Sequence, residues 1–299
     1  MNERPPRLYV LGLLAQFRAG ADRMSLHLNS VLEIASHTDP GIVRSHNEDS
    51  IASDADKGIV VLADGMGGYN AGEVASCMAT TVISTELQQM LEEYSPFDID
   101  PQSGQTVAQS MLREQIAKAN TSIYQAAQSQ AQYAGMGTTL VVAIFHDNKV
   151  TVAHIGDSRL YRLRGDEFSQ VTKDHSLLQE QIDSGLITPE QAKTSHNKNL
   201  VTRALGIDPE VEPEINDYDS QVGDIYLLCS DGLCDMVSDE DIGMAVQTLG
   251  ANIKLCCQQL VQMANDNGGR DNISVILVKV VRDYAAPRGF VSRFFGWFK

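Results

Sequence analysis

The sequence predicts an α+β fold in which antiparallel sheets lie at the centre and helices cover them. Strand-like runs occur in neighbouring pairs joined by short turns, and helix-like runs occur in consecutive groups, whereas a parallel βαβ fold would alternate the two singly. The chain has 299 residues, of which 43% are hydrophobic and 21% charged, and this is enough for one large domain with a substantial core.

Hydrophobic periodicity places the elements of the first half of the chain. An alternating run at 32–36 and a continuous apolar run at 58–63 (GIVVLA) predict two strands. Helices are predicted over 72–91 and 106–128, with a loop at 95–104 between them. Five apolar residues of the first helix fall close to one face: Val74, Met78, Val82, Leu87 and Leu91.

The second half of the chain begins with two predicted antiparallel hairpins. They cover 138–155, with its turn at Asp147-Asn148, and 160–172, with its turn at Gly165-Asp166. A polar stretch at 176–206 follows, and the remaining elements are a strand, two helices and a last strand: 225–229, 238–249, 252–265 and 273–280. With no internal repeat and no clear boundary, we expect one domain over 31–284, an N-terminal extension at 1–30 and a C-terminal tail at 285–299.

The charge of the chain is strongly negative and unevenly distributed. The formal net charge is −16, while the segments 1–30 and 286–299 are both net positive, so the body between them is the acidic part. Binding to nucleic acid requires a cation for each phosphate contact and is therefore not expected.

The five cysteines favour a reducing compartment, and we expect a cytoplasmic protein. They show no CxxC spacing, and none is followed six positions later by Arg, as the phosphate loop of cysteine phosphatases requires. No apolar run reaches the roughly 18 residues of a membrane span. The run at 8–17 resembles the core of a signal peptide, but Arg18 and Arg23 follow where a cleavage site would lie.

Acidic residues recur at predicted strand ends. Asp-Gly follows an apolar strand at Asp64 and again at Asp231, Asp271 precedes the last strand, Asp157 lies at the end of a hairpin strand, and Asp49 lies just before the run 50–52. Carboxylates gathered in this way repel one another unless a cation neutralises them, and oxygen ligands without a Cys/His cluster favour Mg²⁺ or Mn²⁺ over Zn²⁺.

Two other interpretations of these motifs are weaker. A single Asp-Gly pair is most often a turn, but aspartates at the ends of two buried strands and beside a third would be costly without a partner. The run at 65–70 (GMGGYN) between a strand and a helix suggests a dinucleotide site, yet Asn70 stands where the third glycine belongs and Asp64 would repel a pyrophosphate.

The chain resembles the bacterial metal-dependent (PPM-type, protein phosphatase 2C-like) serine/threonine protein phosphatases. Seven motifs carry the resemblance in order: 41–49 (GIVRSHNED), 64–68 (DGMGG) with 72–75 (GEVA), 135–139 (GMGTT), 154–159 (HIGDSR), 202–206 (TRALG), 230–233 (SDGL) and 271–272 (DN). The resemblance implies a central β-sandwich flanked by helices on both faces, in four α-β-β-α layers.

The resemblance also implies the site. Two Mn²⁺ or Mg²⁺ ions are bridged by Asp64, with the Gly65 carbonyl as a further ligand of one and with Asp231 and Asp271 completing the other. Asp49 acts through a metal-bound water, and Asp157 with Asp231 holds a possible third ion. Arg44 is the phosphate-binding residue, and its planar guanidinium suits a phosphoryl group better than lysine would.

The implied reaction is the hydrolysis of phosphoserine and phosphothreonine by a hydroxide bridging the two metals, without a protein nucleophile. Met66 stands where many eukaryotic members have a histidine proposed as general acid, so a metal-bound water or another group must protonate the leaving alkoxide. His46 and His154 are weak candidates. The segment 177–199 matches the variable flap of bacterial members, which is thought to influence substrate access.

The resemblance implies phosphoprotein substrates, a bacterial serine/threonine kinase that the enzyme opposes, and a monomer. Two alternatives remain at this point. One is a pseudophosphatase that only binds, against which the complete set of acids and Arg44 argues. The other is a small-molecule phosphohydrolase that uses the same metal chemistry.

The tail at 285–299 combines aromatic and basic residues. A helix beginning near Gly289 would place Val291, Phe294, Phe295 and Phe298 on one face, with three cations elsewhere. Such a segment suits an anionic membrane interface, a groove on a partner protein, or the surface of the domain itself.

Overall fold

Two antiparallel sheets stacked face to face form the centre of the structure, a computed structural model that describes residues 28–68, 70–101, 103–188, 191–192 and 200–286. Sheet A has the strand order β1-β11-β10-β7-β8, and sheet B has the order β2-β3-β5-β6-β9, with β4 paired to β3. The strands are β1 (Leu32–Asp39), β2 (Asp49–Asp54), β3 (Ile59–Met66), β4 (Gly137–Thr138), β5 (Leu140–His146), β6 (Lys149–Ile155), β7 (Arg159–Arg164), β8 (Glu167–Gln170), β9 (Glu214–Asp219), β10 (Ile225–Cys229) and β11 (Ile273–Val280).

Helices cover the outer face of each sheet. Their bounds are α1 (Ala71–Glu93), α2 (Val107–Ser129), α3 (Leu177–Asp183), α4 (Asp231–Cys234), α5 (Asp239–Leu249) and α6 (Ile253–Asp266). Helices α1 and α2 lie against sheet B, and α5 and α6 lie against sheet A. The start of α2 is fixed by Thr106, which forms a reciprocal capping box with Gln109.

Alternation along the strands separates three hydrophobic clusters. In β3, Val60 and Leu62 point between the sheets towards Tyr226 and Ile276 of sheet A. Ile59, Val61 and Ala63 point to the opposite face, beneath α1 and α2. The fold is therefore the four-layer α-β-β-α sandwich that the resemblance implies, and the predicted α+β class is confirmed.

Of the five residues predicted to form the core-facing side of α1, only Leu87 is fully buried. Its fully buried residues include Ala75, Ala79 and Ile83, while Val74 and Met78 lie at the edge of the cluster and are partly buried. The small side chains let the helix approach β3 closely, so the larger apolar residues pack beside the contact line instead of on it.

Hydrophobic periodicity did not predict strands β2 and β9. Both are edge strands of sheet B, and β9 (EINDYD) is mostly polar. Pairing with β6, in the register His154↔Glu214, supplies the partner that the sequence pattern does not reveal.

The two ends of the sandwich carry different features. The strand β3 ends near Asp64, and its neighbour β5 begins there and runs away to the turn at Asp147-Asn148. That turn receives the last described residues, because Tyr284 donates its backbone N–H to Asn148 Oδ1 over 2.8 Å. The described chain therefore ends opposite the predicted site, and none of the described helices is long and apolar enough to cross a membrane.

Candidate active site

Five carboxylates meet at one end of the sandwich, and both sheets contribute them. From sheet B come Asp49 and Asp64, which face each other in register on β2 and β3, and Asp157, which follows β6. From sheet A come Asp231, the first residue of α4 after β10, and Asp271, two residues before β11. The fold thus brings together all five acids that the sequence singled out.

Burial and mutual repulsion raise the pKa values of these acids. Burial raises the pKa of Asp64 well above its ordinary value, and Asp49, Asp231 and Asp157 raise it further. Burial likewise raises the pKa of Asp49 to about 6 and that of Asp157 to about 6. The pKa of Asp231 is raised well above normal by burial and then by Asp157 and Asp235.

Hydrogen bonds fix the acids of sheet B in place. The Ser230 hydroxyl donates to Asp49 Oδ2 over 2.8 Å, while the buried Asp49 Oδ1 has no hydrogen-bond partner among the described residues. The Asp64 backbone donates to Thr139 Oγ1 over 3.1 Å, and its carbonyl accepts from Thr138 Oγ1 over 2.8 Å.

Two glycines allow the backbones at the site to approach one another closely. A Cβ at Gly65 would collide with the Gly72 carbonyl, and a Cβ at Gly232 would collide with the Asn272 carbonyl. The residue after each strand-end aspartate must therefore lack a side chain, which explains the repeated Asp-Gly pair better than a tight turn does.

Arg44 lies beside the acids. Its Nη2 donates to Asp271 Oδ2 over 2.8 Å, and its side chain is 52% exposed. The guanidinium therefore reaches the rim of the acidic cluster and still faces solvent, as the predicted phosphate-binding role requires.

The donor set suits divalent cations that prefer oxygen. The five carboxylates are held close enough to shift one another's acidity, and the one buried oxygen of Asp49 without a partner is an available acceptor. Such an arrangement costs free energy without a cation and is relieved by one, so these residues fit a Mg²⁺ or Mn²⁺ site.

Two further acids belong to the cluster and were missed in the sequence. Glu48 has a pKa raised by burial, while Arg44 counteracts that rise and Asp271 adds to it. Asp235 raises the pKa of both Asp231 and Asp157. Each lies within four residues of a predicted ligand, so the signal was the acid-rich motif itself.

Of the two histidines considered as general acids, His154 is buried and His46 is exposed. The His154 Nε2 donates to the Lys173 carbonyl over 2.7 Å, and the ring stacks on His175 at 4.7 Å. The ligand-capable atoms of His154, His175 and Glu214 lie within 4.8 Å of one another, in the part of the chain that the structure describes. His46 is exposed and influences Glu48.

A cavity of about 720 Å³ adjoins the cluster at Asp235. It lies between α3 and the α4–α5 region, and Arg159 and Asp174 line it as an ion pair of 2.7 Å.

The chain is similar in sequence to known proteins. The family described as "Protein phosphatase 2C" matches residues 36–277. The serine/threonine protein phosphatase PstP of Mycobacterium tuberculosis is 39% identical over 254 residues, which cover 85% of this chain but only 46% of that protein. The serine/threonine phosphatase stp of Listeria innocua is 38% identical and is matched over 81% of this chain and 93% of its own length.

Solved structures of serine/threonine phosphatases are similar to this chain in both fold and sequence. The crystal structure of the Mycobacterium tuberculosis phosphatase PstP/Ppp has a TM-score of 0.75 and 36% identity, covering 84% of this chain and 100% of that one. The PstP catalytic domain in complex with two manganese ions has a TM-score of 0.72 and 37% identity, covering 84% and 99%. Stp1 from Staphylococcus aureus has a TM-score of 0.75 and 35% identity, covering 88% and 100%.

Proposed function

The chain belongs to the protein phosphatase 2C family, and from this membership we propose that it is a metal-dependent phosphatase that hydrolyses phosphoserine and phosphothreonine in proteins. The observation that carries the proposal is the convergence of five carboxylates from both sheets beside one arginine. Neither a binding module nor a structural domain needs so much like charge in one place.

In this proposal Asp64 would be the ligand shared by two divalent ions, and the Gly65 carbonyl, Asp231 and Asp271 would complete their ligands. Asp49 would contribute through a water, and Asp157 with Asp231 would hold a third, weaker ion. The ions would be Mn²⁺ or Mg²⁺, and the solved catalytic domain of PstP is in complex with two manganese ions. When bound, they would lower the pKa of a water molecule and neutralise phosphoryl oxygens.

The protein's own residues orient the substrate. Arg44 is held by Asp271 on one side and exposed on the other, so its fork can contact a phosphoryl oxygen while staying aligned with the site. The hydrogen bond from Ser230 to Asp49 Oδ2 orients the Asp49 carboxylate. The other oxygen, Oδ1, is left as an available acceptor.

The test compares a phosphothreonine peptide, a generic aryl phosphate and a nucleotide as substrates of metal-stripped full-length protein to which Mn²⁺ or Mg²⁺ is returned. We expect phosphate release from a phosphothreonine peptide to exceed release from a nucleotide at equal concentration. Preference for the nucleotide would favour a small-molecule phosphohydrolase. Phosphopeptide binding without turnover under either metal would favour a pseudophosphatase.

The proposed activity carries expectations about partners. Its substrates would be phosphoproteins produced by a cognate serine/threonine kinase, and we propose that the protein works as a monomer in the cytoplasm. The chain spans about half the length of the mycobacterial relatives, so these expectations concern the part that matches.

The tail at 285–299 supports a separate proposal, contact with an anionic membrane surface. The predicted amphipathic segment lies outside the described residues. Its attachment point is described: Ala286 donates to Asp147 Oδ1 over 2.8 Å, at the end of the sandwich opposite the acids. Attachment through the tail would therefore leave the acidic end accessible.

A further inference from the structure

Two neighbouring apolar side chains, Ile42 and Val43, lie uncovered beside the candidate active site. Each is 67% exposed, and no other large exposed apolar residues of the described segments are consecutive in sequence. Single apolar residues at a surface are ordinary, but two adjoining bulky ones form a continuous apolar area that water does not solvate well. We refer to Ile42 and Val43 together as the apolar pair.

The backbone fixes the apolar pair from one side. The N–H groups of Ile42 and Val43 both donate to the Gly269 carbonyl, over 2.8 and 3.1 Å. Gly41 precedes the pair with a φ of +79°, and a Cβ there would collide with the Asp271 carbonyl. This close approach leaves the segment little freedom to shift, so the pair is presented to solvent in a defined position.

A buried asparagine fixes the rest of the segment 40–48. The Asn272 side-chain amide donates to the Pro40 carbonyl over 3.0 Å and to the His46 carbonyl over 2.8 Å. Its Oδ1 accepts from the Glu48 N–H over 2.8 Å, and Asn272 is only 5% exposed. The segment carries Arg44 as well as the apolar pair, so the spacing between them is set before any substrate binds.

Arg44 follows the apolar pair directly and connects it to the site. Its guanidinium donates to Asp271 and otherwise faces solvent, in the position proposed for contact with a phosphoryl group. Consecutive Cα atoms are about 3.8 Å apart, and an extended peptide advances about 3.3 Å per residue. A peptide whose phosphoryl group lies at Arg44 would therefore bring side chains one or two residues away within reach of Ile42 or Val43.

The chemistry of the apolar pair defines what it can select. The side chains of isoleucine and valine offer neither hydrogen bonds nor charge, so they distinguish ligands only by the apolar area that becomes buried. The acidic body of the protein attracts cations at long range wherever they stand in a peptide, so this attraction does not select one neighbour of the phosphorylated residue. The preferred neighbour is therefore a bulky apolar residue.

We propose that Ile42 and Val43 form a docking surface for a bulky apolar side chain within two residues of the phosphorylated serine or threonine. The apolar pair would thereby determine which phosphoprotein sequences are preferred. The inference rests on the proposed function, because it places the phosphoryl group at Arg44. Covering part of a leucine side chain on an open surface corresponds to a preference of about fivefold.

Two phosphothreonine peptides measure this preference. One has leucine at the two positions on each side of the phosphothreonine, the other has serine at those positions, and the remaining residues are identical and polar. We expect the full-length protein, saturated with Mn²⁺, to have a kcat/KM about fivefold higher for the leucine peptide. The difference should lie in KM, because the docking contact is the same in the ground state and the transition state.

The double variant Ile42→Ser/Val43→Ser should abolish the difference between the two peptides, although the backbone N–H groups of both positions are retained. The conservative variant Ile42→Leu/Val43→Leu keeps an apolar surface and should keep the preference. Val222→Ser is the matched control, because Val222 is 58% exposed and precedes Gly223, which donates to the Val280 carbonyl at the far end of β11. Its preference should equal that of the wild type.

Equal kcat/KM for the two peptides in the wild type would overturn the docking surface and leave the phosphatase assignment intact. A leucine preference that survives in the double serine variant, or one that is lost in Val222→Ser, would overturn it as well. If the double serine variant sediments as a smaller species than the wild type and keeps the preference, the pair is instead a contact between copies of the chain. Turnover of neither peptide would contradict the proposed function itself, and the docking surface with it.

Discussion

Asp64 lies among four other carboxylates, so its replacement separates metal binding from folding. We expect Asp64→Asn to abolish nearly all Mn²⁺-dependent turnover while the protein stays folded, and Asp231→Asn to do the same. Without metal, the Asp64→Asn variant should be more stable than the wild type by about 1–2 kcal/mol, because one repelling charge is gone. Chelator should inactivate the wild type.

The pH dependence of that stability gain has a defined sign. The pKa values of Asp49 and Asp157 are raised from 3.8 to about 6 in the folded state. The contribution of these two groups to the stability of the metal-free wild type is therefore complete below pH 3.8 and is lost as the pH rises through about 6. The advantage of metal-free Asp64→Asn should therefore be larger at about pH 8 than at about pH 5 in urea unfolding. An advantage that shrinks as the pH rises would contradict the assigned repulsion.

Arg44 is predicted to act on the substrate and not on the metals. We expect Arg44→Ala to raise KM for a small phosphate ester about tenfold, with Arg44→Lys in between because lysine lacks the planar fork. Calorimetric Mn²⁺ affinity should hold or rise, since a cation has been removed from Asp271. Collapse of Mn²⁺ affinity at unchanged KM would instead show a structural role.

Among single residues, the strand-end acids were predicted from the sequence, whereas the neighbouring acids Glu48 and Asp235 were missed. Asp64 and Asp231 were visible because an apolar strand runs directly into each. Glu48 and Asp235 looked like ordinary members of acid-rich motifs, and only the fold shows that their charges reach Asp271 and Asp231. The hydrogen bond from the Gly156 N–H to His175 Nδ1 gave no signal in the sequence, because it joins residues nineteen positions apart.

The short helix α4 depends on the close approach of two backbones. Gly232→Ala would push α4 away from Asn272, and with it Asp231 away from Asp271. We expect the variant to lose Mn²⁺ affinity although every carboxylate is retained. Gly68→Ala is the matched control, because a Cβ at Gly68 meets nothing within 4 Å, and calorimetry of both variants would make the comparison. Equal Mn²⁺ affinity in the two would count against the close-packing argument.

Elements with strong internal patterns were predictable, and elements defined by their neighbours were not. Strand β3 is apolar along most of its length and helix α2 carries its own cap, so both are visible locally. Strand β9 exists through its pairing with β6, and the buried face of α1 is selected by how close β3 lies. These are tertiary effects that override local pattern.

For the molecule as a whole, the tail prediction is tested by truncation after Ala286, which keeps the contacts of Tyr284 and Ala286 with the hairpin turn. We expect dephosphorylation of a soluble peptide to be nearly unchanged and co-sedimentation with anionic vesicles to fall, while neutral vesicles bind neither protein. Equal sedimentation of both proteins would exclude membrane contact through the tail, and loss of folding would indicate that it packs on the domain.

The order of the strands also bears on how the protein is made. Strand β1, the first of sheet A, pairs with β11, the last, and Asp271 immediately precedes β11. A nascent chain on the ribosome therefore lacks both a central strand and one of the five clustered carboxylates until almost the entire domain has emerged. A prematurely terminated product would have an incomplete acidic cluster. Under the proposed function, such fragments would have no phosphatase activity in the cell.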